Sequence, residues 1–150
     1  MSISISRSLS EQQWEQLLAL FNKDTSLVSQ LLENGGTVLS LTQLRQLNSL
    51  AILEDQVVCG GIVIRFTDYW NRNAQTFVEI GQLRENSIYL LGMAVQEFFF
   101  SELNLHRVYW ITKSLNETTM RKMGASMEGY TFMHDDKVHL YSFLSEEQSL

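Results

Sequence analysis

Residues 50–66 read LAILEDQVVCGGIVIRF. Two apolar, β-rich runs, Leu50–Leu53 and Val57–Phe66, flank the polar Glu54-Asp55-Gln56, a pattern that predicts an antiparallel hairpin. Downstream comes a polar loop, Thr67–Ala74, carrying Tyr69 and Trp70, then a strand over Thr76–Leu83 and a long helix from about Ser87 to Leu103. Asn104 is placed to end that helix, because asparagine tolerates the left-handed cap conformation. Arg107–Thr112 reads as a strand, Asn116–Met123 as a short helix stopped by Gly124, and Met127–His134 with Val138–Leu144 as a second hairpin about residues 135–137. Upstream, Ile3 and Ile5 alternate with serines as in a short edge strand. Ser10 with Gln13 makes a capping-box pattern ahead of Trp14, Leu17, Leu18 and Phe21, which share one helical face. A second helix is expected from Asp24, burying Leu27, Val28, Leu31 and Leu32 and stopping at Gly35-Gly36, whereas the leucines between Thr37 and Asn48 follow neither period. The order β-α-α-β-β-β-α-β-α-β-β predicts an α+β domain over residues 1–150. Its central sheet is mixed, mostly antiparallel and flanked by helices, with one parallel crossover.

Composition narrows the function. The 150 residues hold 11 basic and 17 acidic side chains, a net charge of −6, which argues against broad nucleic-acid binding because that needs a basic face to displace counterions. Eight glycines, no proline and one cysteine exclude collagen, low-complexity disorder and a disulfide scaffold. The N-terminus has no apolar core of the length a secretory signal needs, and Ile88–Phe100 is too short to span a bilayer. A cytoplasmic protein off the membrane is expected. Cys59, between Val58 and Gly60, reads as a small core residue, since no neighbouring cation would lower its pKa.

The element order resembles that of the GNAT acyltransferases, and local motifs agree. Leu50–Phe66 resembles the family's second and third strands. FVEIGQL, Phe77–Leu83, resembles the fourth strand of the branch that acetylates the N-termini of ribosomal proteins. LNLHRVYW, Leu103–Trp110, resembles that branch's passage into the fifth strand, and MRKMGASMEGYTF, Met120–Phe132, the end of the fourth helix and the strand after it. The resemblance implies transfer of an acetyl group from acetyl-CoA, without a metal, to a primary amine such as a peptide N-terminus, a polyamine or a small amine. It places the cofactor in the splay between the fourth and fifth strands, with pantetheine on the backbone of Gly81, Gln82 and Leu83. The pyrophosphate then lies over Arg84, Asn86, Ser87 and Ile88, with Lys113 and Asn116 as further contacts.

Two departures stand out. The family's loop before the third helix carries glycines that let backbone amides approach the pyrophosphate, whereas this chain has LRENSIYLLG, shorter and with Glu85 at the glycine neighbourhood. In the fourth-helix motif an asparagine and a tyrosine seven residues later become Lys113 and Met120, and Met120 cannot donate a proton. Asn116 replaces the asparagine if the register shifts. Both departures support an alternative, a GNAT-fold protein without transferase activity that serves as a ligand-binding or assembly module.

Glu79 is the leading catalytic candidate: alternation puts it on a face with Phe77 and Leu83, where partial desolvation favours a general base, and a paired structural carboxylate is the other reading. Tyr130, after Gly129 at a strand start, is a second candidate for the acceptor cleft or else a sheet aromatic. His106 reads as a helix-to-strand packing residue rather than a catalyst, His134 and His139 flank the last turn on faces that alternation leaves open, and no ligand spacing points to a metal. Arg84, Lys113, Arg121 and Lys122 are expected to gather about one anion site, or to serve as helix-end charges. Phe98-Phe99-Phe100 cannot all lie on one helical face, so one is expected at the surface or under a partner chain in a homodimer.

Overall fold

A computed structural model of the chain describes residues 2–32, 35–113, 115, 117–133 and 136–145. The hairpin forms as its pattern requires. Strand β2 (Ser49–Glu54) pairs antiparallel with β3 (Val57–Asp68), and between them Asp55 and Gln56 adopt φ of 51° and 71°, as in a two-residue type I′ turn. Leu50 and Ile52 enter one core with Ile62, while Ala51 and Leu53 enter the other with Val63. Both faces of β2 are therefore covered, which is why the run is continuously apolar.

Strand β1 (Ile3–Ser6) pairs with β2 at one edge, and β4 (Asn73–Ile80) lies antiparallel to β3. The chain crosses over through α4 (Ile88–Val95) to β5 (Arg107–Thr112), which pairs parallel to β4. Strands β6 (Ser126–Met133) and β7 (Asp136–Leu144) complete a seven-stranded sheet of order β1-β2-β3-β4-β5-β7-β6. The expected α+β architecture is thus present.

Helix α1 (Glu11–Asn22) carries the Ser10–Gln13 capping box, and α2 (Thr25–Leu31) is capped by Asp24. Leu17 and Phe21 of α1 sit directly on β3 at Gly61, where a Cβ would lie 2.5 Å from the Phe21 ring and 2.6 Å from Leu17. The two helices cover one sheet face, whose core includes Leu27, Val28, Phe77 and Ile111; the other core gathers Leu91, Val95, Phe99, Trp110, Met120 and Tyr141 under α4 and α5 (Glu117–Lys122).

Several expectations need correction. Helix α2 stops at Leu32, already extended, before Gly35-Gly36, and the unassigned stretch holds α3 (Leu41–Gln46) with its own capping box, Ser40–Gln43. Strand β4 starts at Asn73 and ends at Ile80, so Gly81–Leu83 lie beyond it. The long helix begins with a 3₁₀ turn (Glu85–Ser87), and its last part, Gln96–Glu102, is π-helical, with Leu103 N–H donating to Phe98 O at 3.1 Å. This widening lets the consecutive Phe98 and Phe99 both face the core, edge to face at 5.1 Å, while Phe100 packs half-buried beside them. None of the three is exposed, so the run is no bare patch for a partner chain. Asn104 ends the helix at φ 56°, as expected.

Gly61→Ala should destabilise the fold by roughly 1–3 kcal/mol, because the added methyl overpacks against a ring inside the core. Urea unfolding should show a lower midpoint at unchanged m-value, and an unaltered midpoint would contradict this packing.

Candidate functional site

Parallel pairing of β4 with β5 runs from Asn73↔Arg107 to Phe77↔Ile111 and stops there, although β4 continues to Ile80 and β5 to Thr112. On its other side β4 stays paired with β3 through Gly60↔Ile80, and Gly81 N–H still donates to Cys59 O at 2.8 Å. The ladder between β4 and β5 therefore ends at Phe77, and from Val78 onward the two strands part. Beyond Thr112 the chain is tied to the α1–α2 junction, where the Lys113 ammonium lies 3.0 Å from the buried carboxylate of Asp24. Unpaired strand backbone is a template for an extended ligand carrying amide groups.

Glu79 sits half-buried opposite Gly61 of β3, on the face of Phe77, as alternation predicts; Leu83, outside the strand, packs instead against the core of the other face. Glu79 lines an open cleft of about 1330 Å³ together with Gln16, Leu20 and Lys23 of α1, Glu54 and Asp55 of the first hairpin, and Gly81–Arg84. Sequence reasoning missed Glu54 and Asp55 as cleft residues. They read only as turn formers, and nothing local signals that Arg84, 29 residues beyond Asp55, folds back onto them.

The Arg84 guanidinium lies 2.7 Å from Glu54 Oε1 through Nε and 3.0 Å from Asp55 Oδ2 through Nη2. Its hydrogen bond to Asp55, aided by Glu54, raises its pKa; the Ser2 backbone N–H and then Arg84 hold the Asp55 carboxyl below its usual value. Lys122 stands 3.7 Å from Glu85, and Arg121 2.6 Å from Glu117 one turn earlier. The four expected cations therefore do not stand free around one anion site: each faces a carboxylate, and the charges of Glu54, Asp55, Glu85, Asp24 and Glu117 reclaim them.

The segment ahead of α4 also differs from a glycine cradle. Ser87 N–H donates to Arg84 O at 2.9 Å and Ile88 N–H to Glu85 O, so these two amides serve the 3₁₀ turn. Ser87 is fully buried and occupies the cap position of α4 without a side-chain cap bond, and Asn86 is exposed. Met120, at 0 % exposure, belongs to the core and has no part in proton transfer. Asn116 and His134 lie outside the described residues.

Tyr130 is not brought to Glu79. It lies on β6 opposite His139 of β7, with β7 and β5 between it and β4, and it shares the face of Tyr141 whereas Glu79 shares that of Phe77. Three strand spacings, about 14 Å, part it from β4. The ring is 59 % exposed and carries Lys137 Nζ at 4.1 Å from its centroid. Among the described residues no three His, Cys, Asp or Glu side chains come together to hold a metal, and no helix is long and apolar enough to cross a membrane.

No family model and no curated protein matches the sequence. Solved structures do match the fold. The spermidine N-acetyltransferase from Vibrio cholerae, in complex with CoA and spermine, superposes with a TM-score of 0.66 at 17 % identity, covering 99 % of both chains. A GNAT-family acetyltransferase from Bacillus anthracis gives 0.61 at 16 % identity, over 96 % of this chain and 95 % of that one. The N-terminal domain of a ribosomal-protein-alanine acetyltransferase from Clostridium acetobutylicum gives 0.57 at 16 %, over 69 % and 87 %. The chain has the GNAT fold.

Burial pushes the Cys59 thiol up to about 11, chiefly by desolvation, with its Sγ held 3.4 Å from Ile52 O. The raised value means that burial of the neutral thiol stabilises the fold fully below about pH 9, a contribution lost as pH climbs through 11. Native Cys59 should react with iodoacetamide at pH 8 at least ~100-fold more slowly than in urea. Equal rates would make it an exposed thiol of the cleft.

Proposed function

We propose that this chain is an N-acetyltransferase that moves an acetyl group from acetyl-CoA to a primary amine. The observation that carries the reading is the end of the β4–β5 ladder at Phe77↔Ile111, with Glu79 two residues on along β4. Acetyl-CoA is the co-substrate. Its pantetheine amides lie along the chain from Val78 towards Leu83, where β4 has parted from β5. The acceptor enters the cleft on the α1 side. Its neutral nitrogen attacks the thioester carbonyl, forming the C–N bond while the oxygen takes the negative charge, and a backbone N–H of β4 stabilises that oxyanion. Glu79 accepts the ammonium proton, directly or through a water. The C–S bond then breaks with its electron pair on sulfur, and the coenzyme A thiolate is protonated from solvent, since Met120 offers no proton. The CoA and spermine held by the Vibrio cholerae protein of the same fold support this choice of co-substrate and acceptor class.

A second reading, a GNAT-fold module without transfer chemistry, draws on the carboxylate pairing of Arg84 and the engagement of the Ser87 and Ile88 amides. Activity separates the two. Purified protein with acetyl-CoA and a panel of primary amines should release coenzyme A. Glu79→Gln should lower kcat by about 100-fold or more with acetyl-CoA affinity unchanged. Full turnover in that variant removes Glu79 as the base, and the absence of turnover with every amine favours the binding module.

A further inference from the structure

We propose that Asp24 and Lys113 form a positioning pair that holds the end of β5 off β4, so that the gap for the pantetheine stands open before coenzyme A arrives. The inference rests on the acyltransferase reading. The last rung of the parallel ladder is Phe77↔Ile111. Two residues further along each strand come Glu79 and Lys113, which a continued ladder would set level with one another. Instead β5 ends at Thr112, still paired with His139 of β7, and the ammonium of the next residue lies 3.0 Å from Asp24 Oδ1 at the α1–α2 junction.

Asp24 is a well-fixed anchor. Its N–H donates to Phe21 O at 3.1 Å, its carbonyl accepts from Val28 N–H at 3.0 Å, and its Oδ1 accepts from Leu27 N–H at 3.1 Å. Phe21 in turn sits on β3 at Gly61, and β4 is bonded to that same strand through Gly61↔Glu79 and Gly60↔Ile80. Strand β4 and Asp24 thus share one foundation, and the ion pair fixes the end of β5 against it. The Asp24 side chain is only 6 % exposed, and its Oδ2 has no hydrogen-bond partner among the described residues. Removing the ammonium would leave a buried, uncompensated carboxylate, which is strongly unfavourable, so Lys113 stays at Asp24. Paired strands lie about 4.8 Å apart, which leaves no room for a third chain, whereas an extended arm between them needs about twice that. A gap that closed without ligand would have to be reopened on binding, and the affinity would fall accordingly; a gap already held avoids that loss. Lys113, which the resemblance places in contact with the cofactor, acts instead through the position of β5.

Calorimetric titration tests this with two probes: coenzyme A, and adenosine bisphosphate, its nucleotide end without the pantetheine arm. Asp24→Asn removes the charge but keeps a cap for α2, because asparagine accepts from Leu27 N–H as aspartate does. It should bind coenzyme A about tenfold more weakly than the wild type, and adenosine bisphosphate equally well. Lys113→Gln should lose the same factor, and the double variant no more than either single one; Lys113→Gln also serves if Asp24→Asn does not fold. Equal coenzyme A affinity in wild type and variants overturns the pair's role. So does a loss of equal size for adenosine bisphosphate, which would mark a direct phosphate contact or a general loosening. Either outcome leaves the acyltransferase reading intact, whereas a wild type that does not bind coenzyme A overturns the reading and the pair together.

Discussion

The structure turns on the parting of two parallel strands. β4 keeps its antiparallel bonds to β3 as far as Ile80 and beyond it at Gly81, but its bonds to β5 stop at Phe77↔Ile111. A strand that parts from its parallel neighbour inside a sheet, away from the sheet's edges, opens a gap into which an extended chain with amide groups can fit. The surrounding pieces hold that opening in place. Leu17 and Phe21 press α1 onto β3 at Gly61, α4 covers the opposite face through Leu91 and Val95, and the Lys113–Asp24 pair ties the chain after β5 to the start of α2. Glu79 then falls on the α1 side because strand alternation leaves it no other face.

Charge is distributed so that cations and carboxylates meet locally. With 17 acidic and 11 basic residues, carboxylates are in excess, and the cations expected around one phosphate site are each taken by a nearby acid. Lys122 facing Glu85 offsets the one carboxylate that would stand against a phosphate at the start of α4. Arg84 differs from the others, since its partners line the same open cleft as Glu79 and one of them is mostly buried.

Much of this was legible in the sequence, for identifiable reasons. The Leu50–Phe66 hairpin shows because continuous apolar runs around a polar turn have one good solution, and Ser10 with Gln13 shows because a capping box is a local bond. Glu79's face followed from alternation. Boundaries failed where tertiary context decides. Asn73 and Gln75 are polar yet paired, so β4 starts earlier than its apolar stretch, and its end at Ile80 leaves Gly81–Leu83 outside. Helix α3 was hidden because its short run buries only Leu44, too little for a period, although Ser40 and Gln43 carried a capping signal. The π-helical turn resolves a three-phenylalanine run that no regular helix could bury. The Arg84 pairing was out of reach, because its partners lie about thirty residues away and nothing local selects them.

The most direct measurement of the central claim is amide hydrogen exchange with and without saturating acetyl-CoA. Protection that slows exchange by about tenfold or more is expected in Val78–Leu83 and the turn before α4, with β6 and the outer edge of β1 unchanged. Exchange along Val78–Leu83 that does not change, or protection that falls elsewhere in the sheet, would mean that the open edge of β4 is not where the cofactor binds.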